Sequence, residues 1–205
     1  MTSLGIALVV FAYLFGSIPT GVILSRHFGK TDIRKEGSGN IGATNVYRTL
    51  GKTLGALTLL GDILKGMIPV IIAIWLLKSE GWIGVTALSA FIGHIYPVFL
   101  KFKGGKGIAT TLGVFVIIVP WAILLAFLAF AGTLYKWRYV SLGSMVAAGS
   151  LPIWIILLSY SNIYAIYSII IACLVVYRHK ENIQRLIKGE ESKMGGGNSV
   201  KGPYI

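Results

Sequence analysis

Long apolar stretches alternate with short, mostly basic polar segments along this chain. The apolar runs 3–25, 53–77, 82–100 and 139–159 are each about long enough to cross a bilayer, whose hydrocarbon core needs about 20 helical residues. The run 162–177 is slightly shorter and equally apolar. This pattern predicts an all-α integral membrane protein.

One further apolar stretch, 108–135, is interrupted only by Pro120. Two crossings that turn near Pro120 keep the basic residues before and after the stretch on one side of the membrane, whereas one crossing separates them. We therefore predict two helices. The first has room for about 12 residues, or about 18 Å, which is short of the core thickness of about 30 Å. The loop 104–107 before it is therefore expected to dip inward and line a cavity.

The positions of the charges give the predicted orientation. The chain has 19 Lys and Arg against seven Asp and Glu, and its net charge is +12. Fifteen of the basic residues lie in the segments 26–52, 101–107, 136–138 and 178–188, as expected of cytoplasmic loops rather than of a nucleic-acid-binding surface. The predicted fold has seven transmembrane helices, with the N-terminus outside and the C-terminus in the cytoplasm.

The length of 205 residues suits a single membrane domain, assigned to 1–193. The first span is too long, and its start too uncharged, for a cleavable signal peptide, so we expect a retained helix. The segment 178–188 has the pattern of an amphipathic helix at the membrane interface. Residues 194–205 are glycine-rich and predict a flexible tail, with an expression-derived extension as one possible origin. Cys173 is the only cysteine, which excludes a disulfide within the chain.

Several polar residues lie inside the predicted spans. The segment 16–21 holds Pro19 and predicts a bend in the first helix, for which packing is favoured over a place beside the site. Asp62 and Lys65 are spaced to share one helix face. A charge at membrane depth normally has a partner, so we favour a self-neutralising structural pair. His94 is expected to form a structural hydrogen bond between helices.

The segment 37–48 contains the densest group of hydrogen-bonding residues. Glycines release its backbone N–H groups for anion binding, and Arg48 adds a planar donor fork suited to phosphate. The glycines also fit a dinucleotide-binding spacing, but a charged stretch precedes them where a strand is required. The candidate ligands for an oxyanion here are Ser38, Gly39, Asn40, Gly42, Thr44, Asn45 and Arg48.

Two further polar segments are expected to meet the first on the same side. Gly104, Gly105, Lys106 and Gly107 directly precede a helix, an arrangement that favours phosphate. Lys106 is interpreted with equal weight as a phosphate ligand and as a solvated marker of topology.

The last of the three segments holds His179 and Asn182, which share a helix face. His179 is a candidate phosphate donor or proton acceptor, or else a residue that caps the last span. Glu181 either orients Arg48 or Lys106 or only pairs with a basic neighbour.

No complete catalytic triad or metal cluster can be read from the spacing. Ser38 could serve as an acyl nucleophile, but no base is assigned to it. No group of His, Cys and acidic residues has the spacing of metal ligands. We therefore predict neither a metal nor a cofactor.

Three motifs together resemble one known family. They are Ser38–Asn45, Gly93–Phe99 with Lys103–Gly107, and His179–Asn182, in the right order and spacing. They resemble motifs of the bacterial membrane acyl-phosphate:glycerol-3-phosphate acyltransferases, the PlsY family. The resemblance implies seven spans in the cell (inner) membrane, a cytoplasmic active site, acyl phosphate as donor and 1-acyl-glycerol 3-phosphate (lysophosphatidic acid) as product.

The same resemblance implies roles for the site residues. Ser38 and the 39–44 backbone would bind phosphate or the acyl oxygen, Arg48 and Lys106 would clamp phosphate, and His179 and Asn182 would position glycerol 3-phosphate. The partners are then glycerol 3-phosphate, acyl phosphate and membrane lipid; the oligomeric state stays open, with a monomer as one option. The alternatives are a small transporter of an anionic phosphorylated metabolite and a lipid-binding scaffold.

Overall fold

The structure is a computed structural model that describes residues 2–195, and the regular elements in this part of the chain are all helices, as predicted. Apart from Met194 and Gly195, the predicted flexible tail lies outside the described residues. The α-helices are α1 (Thr2–Gly16), α2 (Thr20–His27), α3 (Ala43–Leu50), α4 (Lys52–Leu77), α5 (Glu80–Ile95), α6 (Ile108–Ile118), α7 (Pro120–Trp137), α8 (Val140–Leu157), α9 (Asn162–Arg178) and α10 (Lys180–Lys188). Short 3₁₀ turns occupy Ile33–Lys35 and Val98–Leu100.

Five helical segments are long and apolar enough to cross a membrane. They are Thr2–His27, Lys52–Leu77, Glu80–Leu100, Pro120–Trp137 and Val140–Leu157. A sixth is counted if α9 and α10, which are bent by 55° at their junction, are taken together. The apolar helix α6 has only 11 residues, so the count of seven crossings stays a prediction.

Both predicted helix breaks are present. α1 ends at Gly16 and α2 begins at Thr20, with Pro19 between them. The second break separates α6 from α7, and Pro120 is the first residue of α7, where its missing N–H costs nothing. The stretch 108–135 therefore forms two helices rather than one.

Close backbone contacts hold these helices together. A Cβ atom on Gly16 would lie 2.2 Å from the Ala90 carbonyl oxygen, which brings α1 directly against α5. A Cβ atom on Gly113 would lie 2.0 Å from the Ile63 oxygen, so α6 contacts α4 in the same way. α6 is therefore packed closely against α4.

A buried polar cluster lies where α4, α5 and α6 meet the break between α1 and α2. Lys65 Nζ is 2.7 Å from Asp62 Oδ1 and donates to the Ile18 carbonyl at 2.9 Å. Thr110 Oγ1 donates to the Asp62 carbonyl and lies 3.1 Å from His94 Nδ1. The predictions of a self-neutralising pair and of an interhelical His94 hydrogen bond are confirmed.

Candidate active site

The three polar segments singled out in the sequence meet at one end of the bundle. Arg178 donates to the Gly104 and Gly105 carbonyls at 2.7 and 3.1 Å. Lys106 Nζ donates to Asn182 Oδ1. Gly39 lines the same small cavity as Gly104, which brings the first segment to the other two.

The segment 37–48 is a compact turn that leads into α3. Gly37 and Gly39 have φ of +56° and +70°, as expected of glycines in left-handed conformations. Asn45 is buried; its side-chain oxygen accepts from the Ser38 N–H at 2.9 Å, and its amide nitrogen lies within hydrogen-bonding distance of the Ile33, Glu36 and Asn40 carbonyls. These bonds organise the loop, and direct contact of Asn45 with substrate stays a prediction.

The start of α3 presents free donors. Gly42 is its N-cap and supplies no side-chain cap, and the N–H groups of Ala43 and Thr44 have no acceptor within residues 2–195. Ser38 Oγ also has no hydrogen-bond partner in this part of the chain, whereas Asn40 Oδ1 accepts from the Gly42 N–H. Unpaired N–H groups and the helix dipole make this end of α3 attractive to an anion.

The glycines of the second segment are explained mainly by packing against α5. A Cβ atom on Gly104 would lie 2.2 Å from the His94 carbonyl oxygen, and one on Gly105 would lie 2.3 Å from His94 Nε2. The Gly105 N–H donates to the His94 carbonyl at 3.2 Å, so it is not free for substrate. Gly107, with φ of +82°, lies against the Phe91 ring and caps α6 without a side-chain bond. Direct substrate contact by Gly104, Gly105 and Gly107 stays a prediction.

Lys106 belongs to a buried chain of hydrogen bonds. It donates to Asn182 Oδ1, and Asn182 Nδ2 donates to Glu191 Oε1 at 2.6 Å. Glu191 also accepts from Ser141 Oγ at 2.6 Å and from Arg185 Nε at 2.7 Å. Because an amide oxygen accepts and its nitrogen donates, the carboxylate fixes the orientation of Asn182 that turns its oxygen toward Lys106.

This chain of contacts also sets the charge states. Burial lowers the pKa of Lys106 to about 8, against the attraction of Glu191, which raises it. Burial raises the pKa of Glu191, but the bonds from Ser141, Arg185 and Asn182 outweigh it, and the pKa lies below its ordinary value. Lys106 is therefore a cation at neutral pH that gives up its proton more easily than an exposed lysine.

His179 is buried where α9 turns into α10. Its Nδ1 lies 2.8 Å from the Val175 carbonyl, and because a carbonyl only accepts, this nitrogen carries the hydrogen. Burial lowers the pKa of His179 to about 4, so the ring is neutral near pH 7. Its Nε2 then carries a lone pair and is an acceptor, which favours contact with a hydroxyl over donation to a phosphate.

Arg48 and Glu181 lie further out. Arg48 is exposed on α3 and donates to the Ser192 carbonyl at 3.3 Å, which still places it beside the segment that carries Glu191. Glu181 is exposed and forms no hydrogen bond or ion pair within the described range. The carboxylate that bonds to Asn182 is that of Glu191, and a role of Glu181 in the site stays a prediction.

Sequence reasoning missed Glu191 and Arg178. Glu191 is one of only seven acidic residues and comes two positions after Gly189, where the last helix ends. Its rarity and its place after a helix end are features of the sequence that could have marked it as a candidate. Across residues 2–195, no three His, Cys, Asp or Glu side chains come together as metal ligands would.

Comparison with known proteins gives concordant matches. The family model described as glycerol-3-phosphate acyltransferase matches residues 6–189. A glycerol-3-phosphate acyltransferase of Geotalea daltonii is 55% identical over 187 residues, covering 91% of this chain and 96% of that protein. One of Syntrophotalea carbinolica is 54% identical over 194 residues, covering 94% and 98%.

Two crystal structures have the same fold. Both are of PlsY, described as an integral membrane glycerol 3-phosphate acyltransferase. Its glycerol 3-phosphate form gives a TM-score of 0.89 at 43% identity and covers 93% of this chain and 96% of that one. Its lysophosphatidic acid form gives 0.87 at 42% identity, with coverage of 93% and 95%.

Proposed function

The chain belongs to the glycerol-3-phosphate acyltransferase family, and we propose that it transfers an acyl chain from acyl phosphate to the 1-hydroxyl of glycerol 3-phosphate. The products are lysophosphatidic acid and inorganic phosphate. The names of the related structures, which pair PlsY with glycerol 3-phosphate and with lysophosphatidic acid, support this choice of acceptor and product. The reaction would supply phospholipid synthesis.

The observation that carries the proposal is the Lys106–Asn182 contact inside a donor-rich site. Both substrates carry phosphate dianions, and the site offers Arg48, Lys106 and the free amides of α3. Its buried carboxylate, Glu191, already accepts from three donors. Such a site binds phosphates by charge-assisted hydrogen bonds and has little to offer a cationic substrate.

Acyl phosphate is a mixed anhydride and is already activated, so the enzyme mainly aligns the reactants and stabilises developing charge. The acceptor hydroxyl oxygen bonds to the acyl carbon, and the bond from that carbon to the phosphate oxygen breaks, with its electrons leaving on phosphate. Arg48 and Lys106 hold the phosphates, while Ser38 and the start of α3 bind phosphate or the acyl oxygen. Asn182 and His179 position the glycerol.

We assign the hydroxyl proton to the departing phosphate. When the bond to the acyl carbon breaks, the phosphate leaves with one more negative charge than it carried in the anhydride, so it takes up the hydroxyl proton and departs as hydrogen phosphate without a protein base. In this proposal His179 Nε2, a neutral acceptor, would accept a hydrogen bond from the same hydroxyl and is the rival proton acceptor. The two assignments differ in how much activity survives when the imidazole is replaced.

The proposed setting is one membrane domain over 1–193, with seven crossings and the site at the cytoplasmic face of the inner membrane. Single cysteines at positions 103 and 139, in a protein without Cys173, test the arrangement around α6 and α7. Both should react with an impermeant maleimide from the cytoplasmic side only. Labelling of the two positions from opposite sides contradicts the seven-span arrangement.

The activity itself is tested with purified protein, palmitoyl phosphate and glycerol 3-phosphate, with mass spectrometry for lysophosphatidic acid. Arg48→Ala and Lys106→Ala should each lower kcat/KM at least tenfold, because a charge-assisted hydrogen bond contributes about 1.5–3 kcal/mol. Lys52→Ala, an exposed cation at the start of α4, is the matched control and should keep wild-type kinetics. Absence of product from the wild type, or wild-type kinetics in both site variants, contradicts the proposal.

A further inference from the structure

A buried chain of polar side chains leads from the break between α1 and α2 to the loop before α6. It begins with the Asp62–Lys65 pair of α4 and continues through Thr110 of α6 to His94 of α5. Each of these four side chains is buried, and none of them has a role in the reaction proposed above. Ionisable groups inside a membrane span are costly and often mark function, so the contacts at the far end of the chain decide what it does.

Thr110 fixes the orientation of the His94 ring. The Thr110 hydroxyl has a single hydrogen, which it donates to the Asp62 carbonyl at 3.1 Å. Its oxygen therefore accepts from His94 Nδ1, which lies 3.1 Å away. The Asp62 carboxylate lies 3.8 Å from the same nitrogen, so a hydrogen on Nδ1 faces acceptors only. The ring cannot turn without losing this bond, and its opposite edge, Nε2, is held in one direction.

The held edge of His94 meets the backbone directly before Lys106. A Cβ atom on Gly105 would lie 2.3 Å from His94 Nε2, and the Gly105 N–H donates to the His94 carbonyl at 3.2 Å. On the other side, Arg178 donates to the carbonyls of Gly104 and Gly105. The 104–105 backbone is thus held between His94 of α5 and Arg178 of α9, with no side chain of its own to adjust the fit.

We propose that His94 is a positioning residue for Lys106. The ring, locked by Thr110, supports the 104–105 backbone and so sets the point from which the Lys106 side chain reaches Asn182. The inference rests on the proposed function, in which Lys106 binds phosphate, and adds to it a residue that acts through Lys106. A displacement of about 1 Å that starts far from the chemistry can lower a rate about 100-fold, so a small movement of this backbone is sufficient to affect turnover.

The variants separate the support from general packing. Thr110→Val keeps the shape of the side chain and removes its bond to His94, whereas Thr110→Ser keeps the hydroxyl. Thr86→Val is the matched control, because Thr86 is equally buried and its hydroxyl donates at 2.7 Å to the Trp82 carbonyl of its own helix. His94→Asn keeps a donor toward Thr110 and lacks the ring edge at Gly105, so it tests the same support if Thr110→Val yields too little folded protein.

The first readout is hydrogen exchange, measured by mass spectrometry on purified protein in detergent without substrate. The peptide that contains the Gly105 N–H should exchange roughly fivefold faster in Thr110→Val and His94→Asn, as expected for the weakening of about one hydrogen bond. The wild type, Thr110→Ser and Thr86→Val should share the slower rate. This measurement needs no turnover, so it decides on the support even if the proposed reaction fails. Equal exchange of this peptide in all five proteins overturns the proposal.

The second readout is a double-mutant cycle in kcat/KM. Thr110→Val should lower kcat/KM roughly fivefold in the wild-type background, and Thr110→Ser and Thr86→Val should leave it unchanged. In the Lys106→Ala background the same Thr110→Val change should cost less than about twofold, because the residue through which it acts is gone. A residue that only stabilises the fold would lower kcat/KM by the same factor in both backgrounds. Equal factors, or wild-type kinetics in Thr110→Val, overturn the proposal.

Discussion

Replacing Glu191 by Gln tests whether the charge on Lys106 is tuned through Asn182. The Glu191 carboxylate accepts from Asn182, Ser141 and Arg185, and its charge raises the pKa of Lys106 against the effect of burial. A glutamine can keep one oxygen toward Asn182 and Ser141 while its NH₂ group faces Arg185, which is partly exposed and can turn to water. The substitution therefore removes the negative charge and keeps the orientation of Asn182.

The size of the effect follows from the geometry. Lys106 and Glu191 are bridged by one amide group, so their charges lie about 7 Å apart, and Coulomb's law gives about 2 kcal/mol at an effective dielectric constant of about 20. Solvent near the partly exposed end of the cluster reduces this attraction to about 1 kcal/mol. At about 1.4 kcal/mol per pKa unit, its loss should lower the pKa of Lys106 by roughly 0.7 unit. Loss of the charged bond to Arg185 should also lower the free energy of unfolding by about 1–2 kcal/mol.

The direction of the pH dependence follows from the positive charge that Lys106 needs in order to bind phosphate. Lys106, with a pKa of about 8, binds phosphate as a cation, so kcat/KM should fall as the pH rises through about 8. Without the Glu191 charge the cation is less favoured, and this alkaline limb should move to lower pH by roughly 0.5–1 unit. Because kcat/KM reports the free enzyme, the limb belongs to the protein before substrate binds.

The assay is the pH dependence of kcat/KM from pH 6.5 to 9.5 for the wild type, Glu191→Gln and Glu190→Gln. Glu190 is the exposed neighbour and should leave the alkaline limb in place. Lys106→Arg should remove the limb, because arginine keeps its charge over this range. An unmoved limb in Glu191→Gln, or a retained limb in Lys106→Arg, refutes the assignment of the titration to Lys106.

Three further predictions concern the base, the buried pair and the loop. His179→Gln should keep measurable activity, and added imidazole should not increase it. Loss of an obligatory base would instead lower the rate about 10²–10⁴-fold, and a rate increase on adding imidazole would identify His179 as that base. Lys65→Met should lower the free energy of unfolding by about 3–5 kcal/mol, because it leaves the buried Asp62 carboxylate without its partner. The double variant Lys65→Met/Asp62→Asn should be less destabilised in thermal unfolding. Equal destabilisation of the single and the double variant would contradict the pairing. Gly105→Ala should lower kcat/KM because its Cβ would lie 2.3 Å from His94 Nε2, and wild-type kinetics would show that the loop can move there freely.

Sequence reasoning predicted correctly the features that depend on residues close together along the chain. Apolar runs and two prolines predicted the apolar helices and both breaks, since these depend on helix length and on the missing proline N–H. The spacing of Asp62 and Lys65 predicted an ion pair because residues three apart share a helix face. The three site segments could be recognised because glycine, lysine and histidine between apolar runs are uncommon.

Contacts between residues that are distant along the chain could not be predicted from the sequence in this way. Asn45 looks like a substrate ligand by residue type, and only the fold shows that its amide is occupied by the loop that contains it. Glu181 and Glu191 are both acids near Asn182, but the return of the chain after Gly189 turns Glu191 inward. The glycines at 104 and 105 suit a phosphate loop, whereas the contacts with His94 give them a packing reason as well.

Side-chain donors also explain how irregular backbone is tolerated in this apolar bundle. A carbonyl left free at membrane depth costs several kcal/mol, and at three points of irregular backbone here a donor from another helix meets the freed carbonyls. Lys65 donates to Ile18 at the first break, Tyr13 Oη to Tyr96 at the end of α5, and Arg178 to Gly104 and Gly105. Arg178 is therefore part of what keeps the loop of Lys106 in place, since without it the Gly104 and Gly105 carbonyls before α6 would lose their donor. Lys65 has the same role for the Ile18 carbonyl at the break between α1 and α2.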